Sequence, residues 1–148
     1  MVTKYLTCSM VRFKMLLYIF LLVGCTSSIP EKSLPYLNGY WEITEVTFAN
    51  GEKKNYTVNT SVDFIALEEM KGFKKKVRPK LDGSYTTSDD AEPFTIIQQG
   101  DTYILRYKNN LSTWEEQITV LNENNYVVVN QDNITYHYKR FEPLKIAP

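Results

Sequence analysis

Hydrophobic and polar residues alternate along most of this chain with a period of two, and turn-forming residues separate the alternating runs. Residues 40–48, YWEITEVTF, set β-branched and aromatic side chains between polar and acidic ones, and Ala49-Asn50-Gly51-Glu52 ends the run with a turn. Residues 55–58 read as a short return, and residues 61–67, SVDFIAL, as a further strand. In residues 73–81, FKKKVRPKL, successive side chains point to opposite faces of a strand. Phe73, Lys75, Val77, Pro79 and Leu81 therefore share one face, and Lys74, Lys76, Arg78 and Lys80 form a basic row on the other. Pro79 cannot donate to a ladder, which predicts an edge strand or a bulge. Asp82-Gly83 predicts a hairpin into residues 84–87, followed by a polar, acidic loop over residues 88–93. Residues 94–98, 102–107, 113–121, 126–130 and 134–141 continue as a meander with short Asn-, Gly- and Asp-bearing turns. The pattern predicts an all-β fold, an antiparallel up-and-down barrel of eight or nine strands. At about eight strands a barrel closes around a filled interior or one small ligand.

One run breaks the alternation. Residues 15–23 are nine uncharged, mostly apolar residues preceded by Lys4, Arg12 and Lys14, the layout of an export signal over residues 1–24. Nine residues fall well short of the roughly 20 needed to cross a bilayer. Leu22-Val23-Gly24-Cys25 resembles the lipobox of bacterial lipoprotein signal peptides. The resemblance implies that Cys25 becomes the first mature residue, thioether-linked to a diacylglyceryl group and acylated on its amine with a chain such as palmitate. An ordinary cleaved secretory signal with a chance cysteine is the competing reading, and Met10 competes with Met1 as the start. Residues 25–37 would then be the lipidated N-terminus and a proline- and serine-bearing tether, residues 38–142 the barrel and residues 143–148 a tail. Twelve tether residues would span at most about 40 Å. No aspartate follows Cys25. By resemblance to bacterial sorting rules, this implies an outer-membrane location facing the periplasm.

Charge and cysteine usage narrow the functional classes. Without Lys4, Arg12 and Lys14 the chain carries 14 basic and 17 acidic residues, a net charge of −3 that argues against nucleic-acid binding. Cys8 departs with the signal and Cys25 is occupied by lipid, so no disulfide is expected. His137, the only histidine, alternates with Tyr136 and Tyr138 and faces outward if they face in. Nucleophilic catalysis thus lacks a partner pair. Asp89, Asp90 and Glu92 lack the spacing of a calcium loop, and the neighbours Glu115 and Glu116 point to opposite faces. No cofactor, no metal site and no enzymatic activity are expected.

Gly39-Tyr40-Trp41 at the start of the first strand and Tyr138-Lys139-Arg140-Phe141 at the end of the last resemble lipocalins. The segments GFKKKVRPKLDGSY, SDDAEPF, the Trp114-Glu115 strand and YHYKRFE are similar to the lipocalin-like lipoproteins of Bacteroidetes. The resemblance implies a barrel whose closed end holds Trp41 beneath a stacked basic residue, Arg140 or Lys139. Two surfaces remain as candidate sites. The row Lys74, Lys76, Arg78 and Lys80 would meet an anionic partner such as lipid headgroups or an acidic protein, or else be a solvated edge guarded against aggregation. Tyr103, Tyr107, Trp114, Tyr126, Tyr136 and Tyr138 would line a pocket for a small apolar or ring-containing ligand, or else fill the core. The expected function is a non-catalytic, lipid-anchored cell-envelope protein that binds a small apolar ligand. The alternative is an interaction or inhibitor module that engages an envelope protein through a strand edge or the basic row. Radiolabelled fatty acid should label the protein in cells, and Cys25→Ser should abolish both label and membrane retention; an unlabelled wild-type protein contradicts lipidation.

Overall fold

The computed structural model describes residues 28–143. The signal, Met10, Cys25 and residues 144–148 of the tail lie outside them. A 3₁₀ helix, Glu31–Leu37, precedes nine strands: β1 Gly39–Thr47, β2 Lys53–Asn55, β3 Val62–Glu68, β4 Lys71–Pro79, β5 Tyr85–Gln99, β6 Thr102–Lys108, β7 Thr113–Leu121, β8 Asn125–Asn130 and β9 Thr135–Arg140. All pairings are antiparallel, and β9 pairs back onto β1, closing a barrel from β1 and β3 to β9. β2 is an extra strand. It pairs with the C-terminal part of β1 on the side where the N-terminal part pairs with β3. The eight-stranded, all-β barrel matches the strand count read from the alternation.

The interior is filled from the base upward by large side chains. Trp41, Ile65, Leu105, Tyr107, Ile118, Tyr126 and Val128 are all essentially inaccessible. Rings pack tilted or stacked, with Trp41 and Tyr126 at 5.4 Å, Tyr126 and Tyr138 at 5.2 Å and Phe94 and Tyr107 at 5.5 Å between centroids.

Three local expectations change. The short return after β1 is Lys53–Asn55 rather than residues 55–58. The acidic loop expected over residues 88–93 is part of the continuous strand β5. Opposite β4, register passes from Lys75–Ala91 to Val77–Thr87, so Ser88, Asp89 and Asp90 face the single residue Lys76 as a bulge of three residues against one. Pro79 ends β4, two residues beyond the last pairing with β3 at Val62–Val77, where its missing N–H is tolerated.

The third change concerns the segment expected to be tether. Its aliphatic residues face the barrel: Leu34 and Leu37 join the core, Ser33 is buried with them and partly buried Ile29 packs against them, while Tyr36 stays exposed. The helix stoppers the base of the barrel. Trp41 donates its Nε1–H to Leu37 O at 2.8 Å, and the Arg140 guanidinium lies over the indole at 3.8 Å. The rest of the guanidinium is used as well, donating to Tyr36 O and Asn38 O at 2.7 Å and to Glu123 O at 2.9 Å. Gly39 is required here, since its φ is +116° and an added Cβ would lie 2.8 Å from Arg140 Nη1. Lys139, the other candidate for this role, faces outward and pairs with Glu42 at 3.6 Å. Arg140→Ala should lower stability by about 2 to 4 kcal/mol, read as a fall in the urea midpoint, because it removes a cation-π contact and three charged hydrogen bonds. Arg140→Lys should recover only part of it, lacking the planar fork.

Candidate functional site

The aromatic residues expected to line a pocket divide into two sets. Tyr103, Tyr107 and Tyr126 are buried in the packed core. Trp114, Tyr136 and Tyr138 border a cleft of about 460 Å³ at the other end of the barrel from the 3₁₀ helix. Trp114 lies near the start of β7 and Tyr136 near the start of β9, whereas Arg140 ends β9 at the base. Trp114 stacks on Tyr107 with ring centroids 5.0 Å apart, so it joins the wall of the cleft to the core below. The remaining lining is mostly charged: Asp63, Lys74, Lys75, Lys76, Asp90, Glu92 and Glu116, with Ser88.

The basic row is where the structure departs most from expectation. Alternation along β4 holds, but the face bearing Lys74 and Lys76 is the inner one. Lys74 pairs in register with buried Ile65, and its ammonium sits 4.7 Å from the Tyr107 ring centroid and 3.3 Å from Glu116 Oε2. Both side chains of this pair are almost enclosed, 12% and 10% exposed. Lys76 reaches Asp63 at 2.5 Å, its side chain 63% exposed and that of Asp63 3%. Arg78 and Lys80 are exposed, and Arg78 borders a second cleft of about 450 Å³ with Ser61, Lys76 and residues 86–88. Lys74 and Lys76 are thus neutralised by acids of the barrel wall, and no outward row of four free cations exists. The outer face of this region is aromatic: Tyr40 meets Phe64 at 4.9 Å, Phe64 meets Phe73 at 6.1 Å, and Lys75 lies 5.9 Å from the Phe73 centroid.

Two cleft residues were not among the expected site residues, Asp63 and Glu116, the latter noted in the sequence only as a neighbour of Glu115 on the opposite face. Asp63 shares a face with Ile65, and Glu116 shares one with Trp114 and Ile118, so the alternation that marks the interior marks these carboxylates too. Glu115 points outward to Arg106 at 2.6 Å while Glu116 points in, as neighbours on a strand must. Glu116 accepts from the Tyr107 hydroxyl at 3.0 Å as well as from Lys74. Removing one member of so enclosed an ion pair costs more than removing both, since it strands a buried charge. The Tyr126 hydroxyl is buried without a hydrogen-bond partner among the described residues.

Burial pushes the phenols of Tyr107, Tyr126 and Tyr138 well above the usual value, and the negative charge of Glu116, joined at Tyr126 and Tyr138 by that of Asp63, pushes further in the same direction. His137 is on the outer face with Nε2 3.7 Å from Glu45 Oε1. Hydrogen bonds from Lys53 and Thr47 hold the Glu45 carboxyl below its usual range. Asp90 and Glu92 border the cleft, but no three His, Cys, Asp or Glu side chains among the described residues converge on a point where a metal could sit.

No family model matches the chain, and no curated protein matches its sequence. Among solved structures, a lipocalin-like protein from Bacteroides uniformis ATCC 8492 is similar at 11% identity and a TM-score of 0.46, over 72% of this chain and 99% of that one.

The three buried phenols have a consequence for stability against pH. Their folded-state pKa values are raised, so the stability they contribute is intact below the ordinary tyrosine value of 10.0 and is lost as pH rises from there toward the folded values. Tyrosinate absorbance should show these three silent until a cooperative alkaline unfolding, and smooth titration of all tyrosines in a folded protein would contradict the burial.

Proposed function

We propose that this protein is a non-catalytic, lipid-anchored component of the cell envelope that binds a small molecule at the open end of its barrel. The observation that carries the binding reading is the cleft of about 460 Å³ above a closed, packed base, a size in the range typical of small-molecule sites. Its chemistry refines the expected apolar ligand. Trp114 and Tyr136 offer faces to a ring, while Asp63, Glu116 and the neighbouring lysines call for a polar or charged group on the same molecule. Envelope location and attachment rest on the signal and lipobox ending at Cys25, and the outer membrane facing the periplasm is the location proposed. The non-catalytic part of the proposal rests on the sequence reading, in which His137 is the only histidine and Cys25 carries the lipid. The rival reading, an interaction module, has the free edge of β2 in its favour, but that strand is three residues long and bears two lysines, which disfavours strand addition.

The two tryptophans give a direct readout, because Trp41 is sealed in the base and Trp114 borders the cleft. Ring-bearing small molecules of differing charge should be screened by thermal shift and tryptophan emission. At least one is expected to raise Tm and change the emission, and Trp114→Phe should remove the emission change. A panel that moves neither signal would sink the ligand-binding reading.

A further inference from the structure

We infer that the cleft takes an organic cation, an ammonium group carried on a ring, with Asp63 as its counter-ion. This rests on the ligand-binding reading and names the class of ligand. The two inner carboxylates are not equivalent. Glu116 is occupied on both sides, by buried Lys74 and by the Tyr107 hydroxyl. Asp63 is 2% exposed and borders the cleft; the Tyr138 hydroxyl lies beside its carboxylate, but its Oδ1 accepts no well-formed hydrogen bond among the described residues. Its one cation, Lys76, approaches Oδ1 at 2.5 Å from a side chain 63% exposed to solvent. A buried carboxylate must be compensated by a cation or by hydrogen bonds. A long, largely hydrated lysine is an exchangeable way to do so, since ordering it costs side-chain entropy and water competes for its ammonium. A ligand ammonium entering the cleft could displace Lys76 and provide the same charge with its hydrophobic part buried.

Charge and aromatic content point the same way. The lining holds four acids, Asp63, Asp90, Glu92 and Glu116, against three lysines, and one of these, Lys75, directs its ammonium toward Phe73 on the outer face. The field at the mouth therefore favours cations over anions. The barrel also contains a worked instance of the proposed contact. The Lys74 ammonium lies over the Tyr107 ring beside the Glu116 carboxylate, and Tyr138 beside Asp63, with Trp114 and Tyr136 bordering the same cleft, offers a comparable set of groups to an incoming cation.

The test uses the full-length protein and three probes of similar shape, 2-phenylethylamine, 3-phenylpropionate and 3-phenyl-1-propanol, followed by calorimetry and Trp114 emission. The amine should bind at least tenfold more tightly than the acid or the alcohol, with an affinity that falls as salt rises. Asp63→Asn, which keeps the side-chain shape, should weaken the amine at least tenfold. Lys76→Met should lower Tm without ligand, since it leaves buried Asp63 without its cation, and should tighten the amine severalfold by removing the resident competitor. Binding of the acid or alcohol as tightly as the amine overturns the cation assignment and leaves the ligand-binding reading standing. Unchanged amine affinity in Asp63→Asn, or weaker affinity in Lys76→Met, likewise overturns it, and failure of all three probes to bind overturns both.

Discussion

The barrel depends on the contact between Arg140 and Trp41. It joins residues about a hundred positions apart in the chain, with the guanidinium reaching Asn38 and Tyr36 across sequence separations of 102 and 104. In one place it fixes the start of β1, the end of β9, the 3₁₀ helix and the turn between β7 and β8. Pairing first strand to last gives β1 and β9 partners they would otherwise lack, and a closed sheet has no long edge to protect. Gly39 follows from the same contact, because any side chain there would occupy the space of the guanidinium.

Above this base, the interior combines apolar packing with paired charges. Enclosing Lys74 and Glu116 adds little to net stability, since desolvation offsets much of their attraction. What it adds is specificity of register. A one-residue slip of β4 against β3 would turn Lys74 to the outside and Phe73 to the inside, leaving Glu116 buried without its cation. The tyrosines around the pair contribute hydroxyls that an all-aliphatic core would not have, and they make the upper barrel polar without opening the lower one.

Much of the architecture was legible from the sequence, because period-two alternation and short Asn/Gly/Asp turns are local signals. β6 to β9 fall within a residue or two of the runs read from it. Two elements were obscured because composition resembled something else. Ser88-Asp89-Asp90 looks like a solvated loop, and only pairing with β4 makes it a bulge within a strand. The prolines and serines before residue 38 look like a tether, whereas the burial of Leu34 and Leu37 depends on a barrel end that sequence alone does not display. The faces of β4 illustrate a different limit. Alternation separates Lys74 and Lys76 from Phe73 and Lys75, but which face is inside is decided by Glu116 and Asp63 on other strands. The base motif of Gly39, Trp41 and Arg140 could be read because it rests on a recognisable resemblance. The cleft could not, because it is assembled from five strands.

Folding of the 3₁₀ helix into the base also changes the geometry of the proposed attachment. With Ile29 packed on the core, only Thr26, Ser27 and Ser28 would separate a lipid on Cys25 from the barrel. Three residues extend roughly 10 Å, a quarter of the reach that a twelve-residue tether would have given. A barrel held so closely by its stoppered end would rest that end against the headgroups and turn its mouth toward the aqueous compartment. Traffic into the cleft would then come from solution rather than sideways from the bilayer, the direction suited to a charged entrance.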